Sequence, residues 1–286
     1  MGKPKLESIV DQIVDLPTLP QVVMTIMGLL EDPKSNVRDI NNIMARDPAL
    51  ASKILKLVNS AFYSLPNRVN SISQAIVILG FNTVKSLAIS ASILDMFGQG
   101  DESFSYEDFW THSVGVATVA SALARRYPNA DEDGAFVVGL MHDIGKLVLD
   151  QYAPAEFQEI LHIAREGQLA FCDAESQVLG TTHAEIGYWL ATKWKLDPDI
   201  AQAIKCHHHV DIAENDKTRI MAALCSFSNY VCKMKQYGHS GCFDTPAVPK
   251  PAWQALNIVR EDLPGIIARI NEELERAGAF LSMVNN

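Results

Sequence analysis

No stretch of this chain approaches eighteen consecutive apolar residues, so nothing in it has the length of a membrane-spanning helix. The opening "MGKPKLESIVDQIVDLPTLP" has no apolar run of signal-peptide length before its first acids, and no secretion signal is expected. Gly2 does not make a myristoylation site, because Leu6 stands where Ser or Thr is wanted. Cysteine is scarce: Cys172, Cys206, Cys225, Cys232 and Cys242 are odd in number and contain no CxxC pair. A disulfide framework is therefore not expected, and a reducing cytoplasm is. Basic charge is in deficit, with 24 Lys and Arg against 34 Asp and Glu. A net −10 repels nucleic acid at long range, so nucleic acid is not the expected partner. Period-two alternation is missing over any strand length, as are Asn-Gly or Asp-Gly turns between such runs. Neither a fixed-period repeat nor a low-complexity tract occurs.

The charge is unevenly placed. Residues 1–90 carry 9 basic and 7 acidic side chains, whereas 91–286 carry 15 and 27. Between Pro33 and Ser90 the chain is locally basic, with Lys34, Arg38, Arg46, Lys53, Lys56, Arg68 and Lys85 against Asp39 and Asp47. A solvated helical surface is the expectation for that patch, ahead of an anion or partner site.

What is present is helical periodicity. "DPALASKILKLVNSAF" opens with Asp47 as N-cap and Pro48 at the first helical position, and Leu50, Ile54, Leu57 and Val58 form one stripe. "SISQAIVILG" reads as a helix ended by Gly80, followed by another in "FNTVKSLAISASILDMF". The fold class is all-α. "GQGDESFSYED", residues 98–108, is the best internal boundary, and a second long loop runs from Gln236 to Ala252. The tail reads as one amphipathic helix with Ile266, Ile267, Ile270 and Leu274 on its apolar face.

The segment "GLMHDIGKLVLD", residues 139–150, sets His142, Asp143 and Lys146 into a run whose periodicity otherwise reads as buried helix. Buried Asp needs a partner. His112 shares a stripe with Val116, Val119 and Leu123; His183 stands at a helix start; "AIKCHHHVD" adds His207, His208 and His209. Imidazoles with a carboxylate suit zinc, iron or manganese, and a divalent metal, one ion or two, would compensate Asp143. Lys146, one turn from His142, either neutralises Asp143 or holds a phosphate oxygen. A single inward His is more often a satisfied core residue, but four such sites on successive helices make a pattern. His162, His209 and His239 read as surface residues, and Asp108 as a helix N-cap rather than a ligand.

In this order, His112, His142-Asp143, Lys146, His183 and His207-His208 resemble the HD superfamily of metal-dependent phosphohydrolases, especially its HD-GYP branch. "LPTLPQVV", "DPALASKILKLVNSAFYS", "SISQAIVILGFNTVKSLAIS", "FWTHSVGVA" and "GLMHDIGKL" narrow the likeness to the HDOD domain, the HD-related output domain of bacterial signalling proteins. The resemblance implies an HD-domain-like helical fold with an N-terminal helical lobe, in a bacterial cytoplasm. The expected domain covers 8–232, with an N-terminal lobe at 8–97 and an HD-like lobe at 105–232. Residues 233–286 are expected to form a loop and a C-terminal helical extension. It implies metal ligation by His112, His142, Asp143, His183, His207 and His208, and, in an enzyme, catalytic roles for Asp143 and Lys146. The catalytic pattern ends with an Asp where this chain has Asn229, a degraded ligand position, and "HHHVDIAENDKTRI" stands where the GYP loop belongs. The expectation is a non-catalytic signalling module with a retained metal or phosphate pocket, whose partners are signalling proteins or a nucleotide or phosphate ligand. The alternative is a metal-dependent phosphohydrolase or phosphodiesterase.

Overall fold

The computed structural model describes residues 18–31, 36–60, 62–97, 104–128, 130–167, 169–244, 247 and 249–284. The expected boundary at 98–108 lies outside them as far as residue 103. Among the described residues every regular element is a helix, and no helix is long and apolar enough to cross a membrane.

The chain divides into two compact units. One comprises the described residues of 17–98 together with those of 268–286, and the other those of 99–267. The end of the chain thus clusters with the N-terminal helices rather than standing as a separate extension.

The first unit contains α1 (Gln21–Glu31), α2 (Val37–Met44), α3 (Pro48–Val58), α4 (Ile72–Leu79) and α5 (Phe81–Met96). Asp47 caps α3 by accepting from the Leu50 N–H at 3.0 Å, and Leu50, Ile54, Leu57 and Val58 are buried as the stripe predicts. At the end of α3 the Asn59 amide pairs with the Val69 backbone as a strand neighbour would. Its Nδ2 donates to Val69 O at 2.7 Å and its Oδ1 accepts from Val69 N at 2.7 Å. One side chain thereby pins the described loop residues 62–71 against the helix. Phe280, from near the end of the chain, lies edge-on to Phe62, with ring centroids 5.8 Å apart.

The second unit runs through α6 (Tyr106–Ala124), α7 (Glu132–Met141), α8 (Ile144–Tyr152), α9 (Pro154–Gly167), α10 (Phe171–Val178), α11 (His183–Lys193), α12 (Pro198–Cys206), α13 (Asp216–Met234) and α14 (Lys250–Ala255). Helix α6 is buried on nearly every face and packs against α7 and α13, so it is the axis of this core. Its cap differs from expectation: Ser105 Oγ accepts from Asp108 N at 3.1 Å, and Asp108 itself is exposed. The shorter Ser side chain at the residue before the helix reaches the third N–H, leaving Asp108 inside the first turn.

Helix α15 (Leu263–Val284) closes the chain. Ile266, Ile270 and Leu274 are buried, but Ile267 is 48% exposed. At about 100° per residue, positions 266, 270 and 274 spread over an arc of about 80°, and position 267, about 100° from 266, falls just beyond the edge of that arc.

Candidate metal centre

The polar cluster is built at helix ends. His142 closes α7 and Asp143 opens α8, His183 is the first residue of α11, and His207 and His208 follow α12. His112 in α6 and Asn229 in α13 come instead from helix interiors. Glycine at 145 lets the pieces meet: a Cβ there would fall 2.2 Å from the His183 carbonyl oxygen. The backbones of α8 and α11 can touch because that side chain is missing, and this sets His183 beside Asp143.

Four of the five imidazoles in the donor sets have their Nδ1 committed. His142 Nδ1 lies 2.8 Å from Gly139 O, His207 Nδ1 2.6 Å from Ile204 O, and His112 Nδ1 3.3 Å from Tyr237 O. His183 Nδ1 lies 2.7 Å from a carboxylate oxygen of the fully buried Glu175, whose other oxygen accepts the His183 backbone N–H at 3.0 Å. Carbonyls and carboxylates only accept, so Nδ1 carries the proton in all four rings. In a neutral ring Nε2 is then a lone pair, and each Nε2 faces the interior around Asp143. This is how metal-ligating histidines are held by outer partners.

The inward atoms do not satisfy one another. His142 Nε2, His207 Nε2 and Asp143 Oδ1 are buried without hydrogen-bond partners. His183 Nε2 approaches Asp143 Oδ1 to 3.0 Å as an ion-pair contact rather than an aligned hydrogen bond, and lies 3.0 Å from His208 Nε2. Each such orphan costs about 1–3 kcal/mol. Among the described residues, two donor sets include Asp143. Asp143, His183, His207 and His208 place their ligand atoms within 4.8 Å of one another, and so do His112, His142 and Asp143. Both sets could hold a metal ion, and Asp143 belongs to both.

The charges follow from the packing. Burial opposes ionisation of Asp143, but His142, Lys146 and His183 outweigh it and hold the carboxyl well below its usual range. Burial also opposes a charged His183, yet Glu175 and Asp143 raise it to about 9. Burial, with His142 beside it, pushes His112 down to about 3, and burial lowers His207 well below its ordinary value. His183 therefore carries a proton at neutral pH, which a cation on Nε2 must displace. Metal affinity should rise by about tenfold per pH unit from 6 toward 9 on account of that proton. Isothermal titration in buffers of different ionisation enthalpy, with about one proton released per ion at pH 7, checks it.

Lys146 is fully buried. Its ammonium donates to Asp143 Oδ2 at 2.9 Å and Ser240 O at 3.0 Å, with Cys242 Sγ at 3.4 Å and Ser240 Oγ at 3.5 Å. Of its two expected roles the geometry provides for the first, neutralising Asp143, and leaves no free N–H for a phosphate oxygen. The acceptors other than Asp143 come from a strap, residues 236–244, laid across α6. Gly238 has φ +65° and its missing Cβ would fall 2.3 Å from His112 N, while His239 N donates to Asp108 O at 3.0 Å. The Arg165 guanidinium over the Phe243 ring, 4.7 Å from its centroid, fixes the far end. A cavity of about 590 Å³ beneath the strap reaches His112 and Lys233.

Asn229 comes to the edge of the cluster at His112, with Oδ1 3.1 Å from His112 Nε2. A neutral His112 has one proton for two facing oxygens, and Tyr237 O takes it. The Asn229 amide can therefore meet His112 Nε2 only by turning its NH₂ inward, or by sharing a cation with it. The structure thus brings together His112, His142, Asp143, Lys146, His183, His207, His208 and Asn229, while His162, His209 and His239 are exposed. Sequence reasoning missed Glu175, Tyr237, Ser240 and Cys242. Glu175 carried no signal within "FCDAESQV", and the strap residues lay in the second long loop, Gln236 to Ala252.

Comparison with known proteins agrees with this architecture. Residues 16–210 match the HDOD domain. A solved HDOD domain protein from Geobacter sulfurreducens superposes with a TM-score of 0.81 at 26% identity, covering 97% of this chain and 96% of that one. A candidate phosphohydrolase from Shewanella amazonensis SB2B superposes with a TM-score of 0.78 at 23% identity, covering 96% and 97%. Among curated sequences, an uncharacterized protein of Treponema pallidum (strain Nichols) is 26% identical over 223 residues, 78% of this chain. The chain spans less than half the length of that relative, 43% of it.

Proposed function

The chain belongs to the HDOD domain family, and on that footing we propose that it is a cytoplasmic regulatory module whose second unit keeps a divalent-metal pocket for a phosphate-type or nucleotide ligand without efficient turnover. The observation that carries the reading is an inward-facing donor set around Asp143 beside a sealed Lys146. Four Nδ1 groups are pinned outward, buried Nε2 and carboxylate atoms stay orphaned around Asp143, and the nearby ammonium is spent internally.

Asp143, His183, His207 and His208 would hold one cation, and His112, His142 and Asp143 a second. Their nitrogen and oxygen donors fit iron, manganese or zinc. A bound cation supplies positive charge for the oxygens of an anionic ligand. Asn229 withholds a carboxylate from the His112 set, which weakens cation binding there and leaves more net positive charge for that ligand. Glu175 orients His183, and the strap excludes water from the Lys146–Asp143 pair. The five cysteines are free, in keeping with a reducing compartment.

A second reading, a metal-dependent phosphohydrolase or phosphodiesterase, is favoured by one feature, the sharing of Asp143 between two donor sets. The readings separate on one comparison: wild type, Asn229→Asp and Asp143→Ala, each assayed with iron, manganese and zinc against phosphomonoesters and cyclic dinucleotides. The expected outcome is retained metal in the wild type, tighter metal in Asn229→Asp, and wild-type turnover no higher than that of Asp143→Ala. Robust wild-type hydrolysis that disappears in Asp143→Ala makes the chain an enzyme.

A further inference from the structure

The unit formed by residues 17–98 and 268–286 holds a second cavity, an open groove of about 1020 Å³ bounded by α3 and the loop that Asn59 pins. Met44, Leu55, Leu65 and Ile72 give it an apolar floor, and no Asp or Glu lines it. Two cations do, Lys56 and Arg68, and both are exposed. Lys53, one turn before Lys56, is neutralised by Asp95 and contributes nothing to the groove. On a chain of net charge −10 this is a basic island over an apolar bed.

Three kinds of anionic occupant can be weighed. A small anion needs converging donors, and the N-terminus of α4, which lines the groove, is already closed. Ser71 Oγ accepts from Gln74 N at 3.1 Å, and Gln74 Oε1 accepts from Asn70 N at 3.0 Å. A single-stranded nucleic acid needs aromatic platforms and a dense basic track, yet no aromatic residue lines the groove and only two cations do. An extended protein segment needs what is there: separated cations for its acids, apolar ground for an anchor side chain, and polar groups such as Ser52 and Asn67 for its backbone.

We propose that this groove is a docking site for an acidic segment of a partner protein, its carboxylates against Lys56 and Arg68 and an aliphatic side chain on the Leu55–Leu65 floor. The proposal names the partner for the regulatory reading, but it uses none of the metal-site residues. Fluorescence anisotropy with the full chain tests it. The probes are twelve-residue peptides rich in Asp and Glu with interspersed Leu or Met, the same peptides with Lys replacing the acids, and a twelve-nucleotide oligothymidylate. The acidic series should bind and weaken with added salt. Lys56→Glu with Arg68→Glu should reduce its affinity at least tenfold, while the metal content and Tm of that variant stay at wild-type values. Acidic peptides that bind no better than their lysine counterparts, or whose binding survives the charge reversal, overturn the proposal. Tighter binding of the oligothymidylate that is lost on reversal also overturns it, in favour of a nucleic-acid groove. A failure here with the metal intact leaves the metal-pocket reading standing, and loss of metal in Asp143→Ala with peptide binding intact separates the two the other way.

Discussion

Lys146→Ala should lower the stability of the metal-free protein by about 3–5 kcal/mol, the cost of leaving one member of a buried ion pair without its partner. At about 2–4 °C per kcal/mol for a unit of this size, Tm should fall by roughly 6–20 °C. The reason is the environment of Asp143: the carboxylate is 1% exposed, and Lys146 is the one permanently cationic group bonded to it among the described residues. Lys146→Met combined with Asp143→Leu should recover much of the loss, because removing both charges removes the desolvation that pairing had to offset. Differential scanning calorimetry on the three proteins, each treated with chelator, makes the comparison. A Lys146→Ala protein as stable as wild type would show that the pair is neutral in the fold.

The second large effect concerns Asp143 as the member common to both donor sets. Asp143→Ala should abolish binding of every ion. His112→Ala should remove only the set it shares with His142, and His208→Ala should weaken only the other. Glu175→Gln is the informative neighbour: it leaves all ligands in place but loosens the grip on His183 Nδ1, and should cost roughly 10–100-fold in affinity. Equilibrium dialysis with metal analysis gives the stoichiometry of each variant. If Asp143→Ala still binds one ion at wild-type affinity, the two sets do not share that carboxylate.

How much of this was legible in the residues depends on the kind of information each feature carries. The helices were legible because period and caps are local: Asp47 followed by Pro48, with its stripe, forms the helix it describes. The inward histidines were legible because a polar residue repeated on apolar stripes is costly without a shared purpose. Roles set by distant partners were not. Lys146 could be placed beside Asp143, but its remaining acceptors lie 94 and 96 residues further on, in a loop with no periodicity. Glu175 sits eight residues before His183 across a helix break, a spacing with no local rule behind it. Asp108 and Ile267 were misjudged by less than one turn, which is the error expected when a cap or a stripe edge has neighbouring candidates.

The strap also has a consequence for the order in which the pocket comes into being. His112 waits 125 residues for the Tyr237 carbonyl that fixes its tautomer. At bacterial or eukaryotic rates of about 5–20 residues per second, roughly 6–25 s of synthesis separate the two. Throughout that interval His112, and then Asp143 and Lys146, exist on a nascent chain whose roof has not been made. The match to the family ends at residue 210, before α13 and the strap. A fragment excised at that border would be arrested at the same stage, with its aspartate and lysine still open to water and its first histidine free to take either tautomer.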